Sequence, residues 1–297
     1  MPYFSPAELQ RGLLPPPLTD LAEDLLLSLS LLLLDPLQPC HAANLSACAR
    51  ALRALLHDDL LELQQPHHNA RALAAHFGMR AAGLSEAWKL NLLTAHDPLS
   101  LEHWRTLGDL ARRSALPELQ TLSVWGSVCG EGVGMLAAGL CHGCLPSLRS
   151  LVLADAHVLD EGAVALAAAL RQQCVPSLRI LSLGNNRLTD AGLSALTATV
   201  GRLPRLTHLY LHENRIGAAG LSHMLREPAF PSLRILHLHD NQITDTGCAG
   251  LAAALRRGAL PALGELHLGG NPASASAQAA VLQALEVRSA GARRSSG

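Results

Sequence analysis

Proline returns at a near-constant interval through the latter part of the chain: Pro117, Pro146, Pro176, Pro204, Pro231 and Pro261 stand 29, 30, 28, 27 and 30 residues apart. Each introduces the same phrase. LPELQTLSVWGS, VPSLRILSLGNN, LPRLTHLYLHEN, FPSLRILHLHDN and LPALGELHLGGN read as Leu-x-x-Leu-x-Leu-x-x-Asn or a near variant, and LPSLRSLVLADA keeps the leucines without the asparagine. A period of this length constrains the fold more than any single motif. Each unit must be one supersecondary element that buries its apolar face only by stacking on its neighbours.

The inside of the unit is also repeated. RLTDAGLSALTATV, RIGAAGLSHML and QITDTGCAGLAAAL place an apolar residue and then a glycine ahead of apolar residues at helical spacing, so each unit reads as strand, turn, helix. Leu-x-Leu puts two leucines on one face of a short strand. Asn186, Asn214, Asn241 and Asn271 stand where the strand ends and can saturate backbone N–H and C=O groups there. Thr189-Asp190 and Thr244-Asp245 occupy the place of a helix N-cap.

These phrases resemble the leucine-rich repeat family in its longer, helix-bearing subtype similar to ribonuclease inhibitor. The resemblance covers residues 116–286 in six units, with Ser127 and Ala156 replacing the asparagine in the first two and Pro272-Ala273 replacing the helix lead-in of the last. It implies an α/β solenoid, a horseshoe with parallel strands on the concave side and helices on the convex side. Residues 67–115 read as a helical cap or a degenerate repeat, with a further unit near Ala87 to Leu110 and with Trp88 and Trp104 in its core. Such a cap covers the open edge of the first strand.

If the Leu-x-Leu leucines point inward, the alternate positions point out of the sheet. The outward rungs are Thr121, Ser123, Trp125; Ser150, Val152, Ala154; Ile180, Ser182, Gly184; His208, Tyr210, His212; Ile235, His237, His239; and Glu265, His267, Gly269. Aromatic anchors on a rigid surface tend to dominate interface energy. The expected partner-binding residues are therefore Trp125, Tyr210, His212, His237, His239 and His267. Strands about 4.8 Å apart bring His212 beside His239, and His237 beside Tyr210 and His267. Such a face gains positive charge as pH falls through about 6.5. Imidazole and carboxylate are competent transition-metal ligands. A flat sheet rarely offers tetrahedral closure, however, and the spacing is not a recognised ligand series, so neither a metal nor another cofactor is expected. Cys141-His-Gly-Cys144, with Cys174 a repeat later, lacks a second pair to complete a zinc site and reads as small packing residues. No GxSxG elbow, P-loop or HExxH motif is present, and the expectation is a non-enzymatic protein.

Charge and cysteine usage narrow the partners. The net charge of -1, with Lys89 as the sole lysine among 23 basic residues, argues against nucleic acid or a membrane surface as ligand. The run Leu25 to Leu34 is too short to span a bilayer, and its acidic flank is the reverse of a signal peptide. Seven cysteines, an odd number, fit reduced thiols in a cytoplasmic or nuclear protein.

Residues 17–66 have another texture: two or three short helices broken at Asp35-Pro36 and Pro39. Through Leu21, Asp24, Leu25, Leu26, Leu34, Asp35, Pro36, Leu45, Cys48 and Arg50 this segment resembles the F-box family, although Ala22 stands where that family has proline and Leu52 near its tryptophan. The resemblance implies a substrate receptor of a cullin-RING ubiquitin ligase, with Leu25, Leu26, Leu34 and Pro36 on the adaptor side. A leucine-rich helical hairpin that merely caps the repeats is the alternative. Ran GTPase-activating proteins have similar repeats, which makes a GTPase regulator the competing functional class, but this chain ends in Arg288, Arg293 and Arg294 where those proteins carry an acidic tail. An innate-immune-like receptor fragment lacks the P-loop domain that would support it. Residues 1–16 and 287–297 read as flexible ends.

Overall fold

The computed structural model describes residues 68–75, 89–92, 100–126, 130–140, 144–171, 175–200, 203–225 and 230–295. The chain divides into two compact units, Met1–Gly83 and Leu84–Gly297. In the first unit the described part is a helix at residues 68–75, with Ala70, Leu73 and Ala74 buried. The F-box-like segment with Leu25, Leu26, Leu34 and Pro36 lies outside the described residues, as do residues 1–16, Trp88, Ser127, Cys141 and Cys174.

In the second unit strand and helix alternate: β1 (Lys89–Leu92), α1 (Leu101–Arg112), β2 (Thr121–Trp125), α2 (Gly130–Gly139), β3 (Ser150–Ala154), α3 (Leu159–Leu170), β4 (Ile180–Ser182), α4 (Asp190–Val200), β5 (His208–Tyr210), α5 (Ala218–Met224), β6 (Ile235–His237), α6 (Asp245–Arg256), β7 (Glu265–His267) and α7 (Ala275–Ser295). All seven strands form one open sheet in sequence order, each parallel to the next. This is the expected α/β solenoid. The segment near Ala87 to Leu110 contributes β1 and α1, and β1 pairs with β2 from Lys89↔Thr121 onward. Trp104 on α1 is fully buried.

The leucine period explains the core. Leu122, Leu151, Leu181, Leu209, Leu236 and Leu266 are partners across the strands and are buried, and the residue before each repeat proline (Leu116, Leu145, Val175, Leu203, Phe230, Leu260) is buried as well. Cys144 is buried in this layer, as a packing residue would be.

Two polar ladders run through the stack. The first is built from asparagine. Asn186 Oδ1 accepts from the Ala156 and Val158 N–H groups of the preceding unit at 3.0 and 3.1 Å, while its Nδ2 donates to the Leu153 and Gly184 carbonyls. Asn214 Oδ1 in turn accepts from the N–H groups of Asn186 and Leu188, and Asn241 and Asn271 accept from Ile216 and Ile243. A buried side-chain amide thus satisfies backbone groups that no strand or helix reaches.

The second ladder bears out one expected N-cap and corrects the other: Thr189 Oγ1 accepts from the Ala191 N–H at 3.2 Å. Thr244 makes no side-chain cap bond, and its hydroxyl lies 2.8 Å from that of Thr246. The aspartates instead cap the helix of the following unit. Asp160 accepts from the Thr189 N–H (2.9 Å), the Thr189 hydroxyl (2.6 Å) and the Gly192 N–H (3.1 Å). Asp190 accepts from Gly217 N–H, and Asp245 from the N–H and hydroxyl of Ser274. Each carboxylate lies against the partial positive end of the next helix. The approach is close enough that a Cβ at Gly192 would sit 2.3 Å from Asp160 Oδ1, and one at Gly220 would sit 2.6 Å from Asp190 Oδ1. That contact accounts for glycine at these two helix lead-ins, while a Cβ at Gly247 would instead sit 2.9 Å from Ile243 Cγ2. Ala218 stands where Asp160, Asp190 and Asp245 stand in their units, so no carboxylate at that position reaches toward Thr244.

The carboxy-terminal end also differs from expectation. Helix α7 runs to Ser295, so residues 287–295 are helical rather than a flexible tail. The Arg288 guanidinium donates to the carbonyls of Ala259, Leu260 and Leu263, tying this helix to the turn before β7. VRSAGARRSSG carries too few apolar residues to show a helical period, and the bond that anchors it spans about one repeat.

Candidate functional site

On β5, β6 and β7 the outward positions carry rings. Register pairs Tyr210 with His237 and His237 with His267, and continues past the strand ends through Glu213 N–H to the His239 carbonyl and Asp240 N–H to the Gly269 carbonyl. His212 and His239 stack with centroids 4.8 Å apart and planes 13° from parallel. Tyr210 meets His237 edge-on at 4.8 Å, and His237 meets His267 at 4.3 Å with the planes 65° apart. Five of the six expected partner-facing residues thus form one contiguous group.

Trp125 is not among them. It is 44% exposed on β2, three strands from β5, or about 14 Å at normal strand spacing, and its Nε1 donates to Ser123 Oγ at 2.8 Å.

Two residues outside the expected set complete the group. Glu265 Oε1 lies 2.8 Å from His267 Nε2 and 3.6 Å from His237 Nε2. Its place two residues before His267 on one strand face was visible as an i, i+2 pair. Gly184 gives His212 its room, since a Cβ there would lie 2.3 Å from His212 Nε2. A glycine opposite a ring one strand away is the sequence signal for that gap. Around the group, Glu213 and Asp240 hold left-handed backbone (φ 53° and 55°), and Asp240 Oδ2 lies 3.1 Å from His239 Nδ1.

Burial dominates the electrostatics. It pulls His212 below the ordinary imidazole value, with His239 adding to the effect. It does the same to His237, assisted by His267 and opposed by Glu265. His208 is lowered by burial and partly restored by Glu265, while burial raises Tyr210. Glu265 is held below the usual carboxylate range, chiefly by its hydrogen bond with His267. The expectation that the face charges as pH passes about 6.5 is therefore corrected for His208, His212 and His237, which stay neutral to lower pH because their rings are partly withdrawn from water. His212 Nδ1 and His237 Nε2 are buried atoms without a hydrogen-bond partner.

Comparison with known proteins addresses the scaffold. Residues 176–223 match the family described as "Leucine Rich repeats (2 copies)", and residues 144–167 and 231–252 match "Leucine Rich repeat". These are leucine-rich repeats. Proteins built from them are in general protein-interaction scaffolds. No curated protein matches the chain. Among solved structures, the chain is similar to leiomodin-1 actin-binding site 2, at 16% identity over 67% of this chain and 95% of that one, with a TM-score of 0.40. It is also similar to an internalin from Listeria monocytogenes, at 18% identity over 72% of this chain and 61% of that one, with a TM-score of 0.39. Among the described residues no helix is long and apolar enough to cross a membrane.

Proposed function

We propose that this leucine-rich repeat sheet is a non-enzymatic docking surface for a protein, centred on Tyr210, His212, His237, His239 and His267. The observation that carries this reading is the continuous ring surface across β5, β6 and β7, with His237 and His239 only 22% and 30% exposed. Rings already packed on one another lose little side-chain entropy on binding, which favours them as anchors. Trp125 forms a separate contact point on the same face. Replacing both Tyr210 and His239 by alanine abolishes capture of the partner while the far-ultraviolet circular dichroism stays native. Retained capture by the folded double variant overturns the assignment.

The finer reading is a substrate receptor of a cullin-RING ubiquitin ligase, supported by the F-box-like residues Leu25, Leu26, Leu34 and Pro36 preceding the repeats. In that reading the protein works in the cytoplasm or nucleus. The test is adaptor binding by the full chain, comparing the native sequence with a Leu26→Asp, Pro36→Ala variant. Binding lost in the variant supports a receptor. Absence of binding by the native chain reduces the segment to a cap on the repeats and turns attention to GTPase stimulation as the next activity to assay.

A further inference from the structure

We propose that His237, Glu265 and His267 form a binding site for a divalent first-row transition metal on the exposed face of the sheet. The site lies within the proposed docking surface, sharing His237 and His267 with it, and does not depend on the identity of any protein bound there. The sequence alone suggested no metal because a flat sheet rarely offers tetrahedral closure and the spacing is not a recognised ligand series. In the structure these three side chains converge.

The ligand atoms of these three residues all lie within 4.8 Å of one another. Metal–ligand bonds of about 2.0–2.2 Å require tetrahedral donor atoms to stand about 3.3 Å apart. Glu265 Oε1, at 2.8 Å from one imidazole nitrogen and 3.6 Å from the other, already brackets that separation. The planes of the two rings stand 65° apart, so the rings are not confined to parallel planes as stacked imidazoles are.

The neighbouring set His212, His237 and His239 also has its ligand atoms within 4.8 Å. Two of its rings are stacked 13° from parallel, so their in-plane lone pairs lie in nearly parallel planes and do not meet at one point. It shares His237 with the first set. Convergence and the carboxylate both favour the set containing Glu265.

The donors are of the right chemical type. His237 Nε2 is buried, and Glu265 Oε1 faces it at 3.6 Å, long for a hydrogen bond. Two imidazoles and one carboxylate suit zinc, cobalt or iron better than calcium or magnesium. Glu265 and His267 are each half exposed, so the remaining coordination positions open to solvent and accept water or a side chain from a docked protein. Metal ions compete with protons for such ligands, so binding is accompanied by proton release and weakens on acidification.

The test titrates the full chain with Zn²⁺ by calorimetry in two buffers of different ionisation enthalpy, and with Co²⁺ by visible absorption. The cobalt spectrum separates an imidazole–carboxylate site from the cysteines, whose thiolate complexes show strong near-ultraviolet charge transfer. The native chain is expected to bind one ion at this site with proton release. His267→Ala and Glu265→Gln each weaken it at least tenfold, and His237→Ala removes it. The double variant His212→Ala, His239→Ala retains it. Circular dichroism verifies that every variant is folded. Unchanged affinity in folded His237→Ala, thiolate absorption alone, or loss only in the His212→Ala, His239→Ala protein overturns the proposal.

Discussion

The sheet has two halves with one backbone and unlike faces. From β2 to β4 the outward positions are mainly Ser, Thr, Val, Ala, Ile and Gly, whereas from β5 to β7 they are mainly His, Tyr and Glu. Inward, the halves share buried leucines throughout, and the asparagine ladder crosses from one to the other, with Asn186 after β4 and Asn214, Asn241 and Asn271 after β5, β6 and β7. The contrast teaches that stacking and chemistry are specified by different positions. A residue on the outward face can change without disturbing the ladder that holds the units together, and only the β5–β7 half has collected a contiguous group of rings that titrate.

The strongest way to break the likeness is at the seam. Asn214→Leu leaves the N–H groups of Asn186 and Leu188 and the carbonyls of Leu183 and Leu211 without their amide partner. A buried unsatisfied group costs about 1–3 kcal/mol, so a total loss of about 4 kcal/mol is expected in urea unfolding. A loss below about 1 kcal/mol would mean the ladder does not hold the halves together.

Next is Gly184→Val, a change in the plain half that reaches the ring-bearing half. The new side chain occupies the place of the His212 ring, and overpacking of this kind costs about 1–3 kcal/mol. The His212 imidazole resonances should shift while those of His267 stay in place. An unmoved His212 signal would show that the neighbouring strand does not set its position.

Asp160→Ala removes a cap between α3 and α4 within the plain half, and about 1 kcal/mol should be lost in thermal or urea unfolding. The ring group on β5 to β7 contains no partner of Asp160, and its titration should be unaltered.

The smallest effect separates the halves by pH. For a histidine whose folded pKa is depressed, the unfolded chain binds more protons between the two values, so stability is full above the unfolded value and declines as pH falls below about 6.5. His208, His212 and His237 contribute in this direction. Glu265, also depressed, adds a loss at lower pH, below the ordinary carboxylate value. Melting temperature measured against pH should therefore slope downward on acidification, and His212→Gln with His237→Gln should flatten the slope between about 6.5 and 5. An unchanged slope in that variant would remove these two rings as its source.

The repeat, its strand-turn-helix content, the inward leucines and the turn asparagines were legible in sequence because each depends on a short, local period. So was the roll of outward rings, since alternation alone decides which residues leave the sheet. What was not legible depended on neighbours about one repeat away. Asp160 looks like part of its own helix start, yet its partners are Thr189 and Gly192. Arg288 looks like part of a polar end, yet it binds the turn at Ala259 to Leu263. The sequence by itself determined a stacked α/β repeat with a histidine-rich rung set. Only the tertiary structure decided that His237 and His267 tilt toward Glu265 while His212 and His239 stack, because ring orientation follows from packing between strands and periodicity carries no information about it.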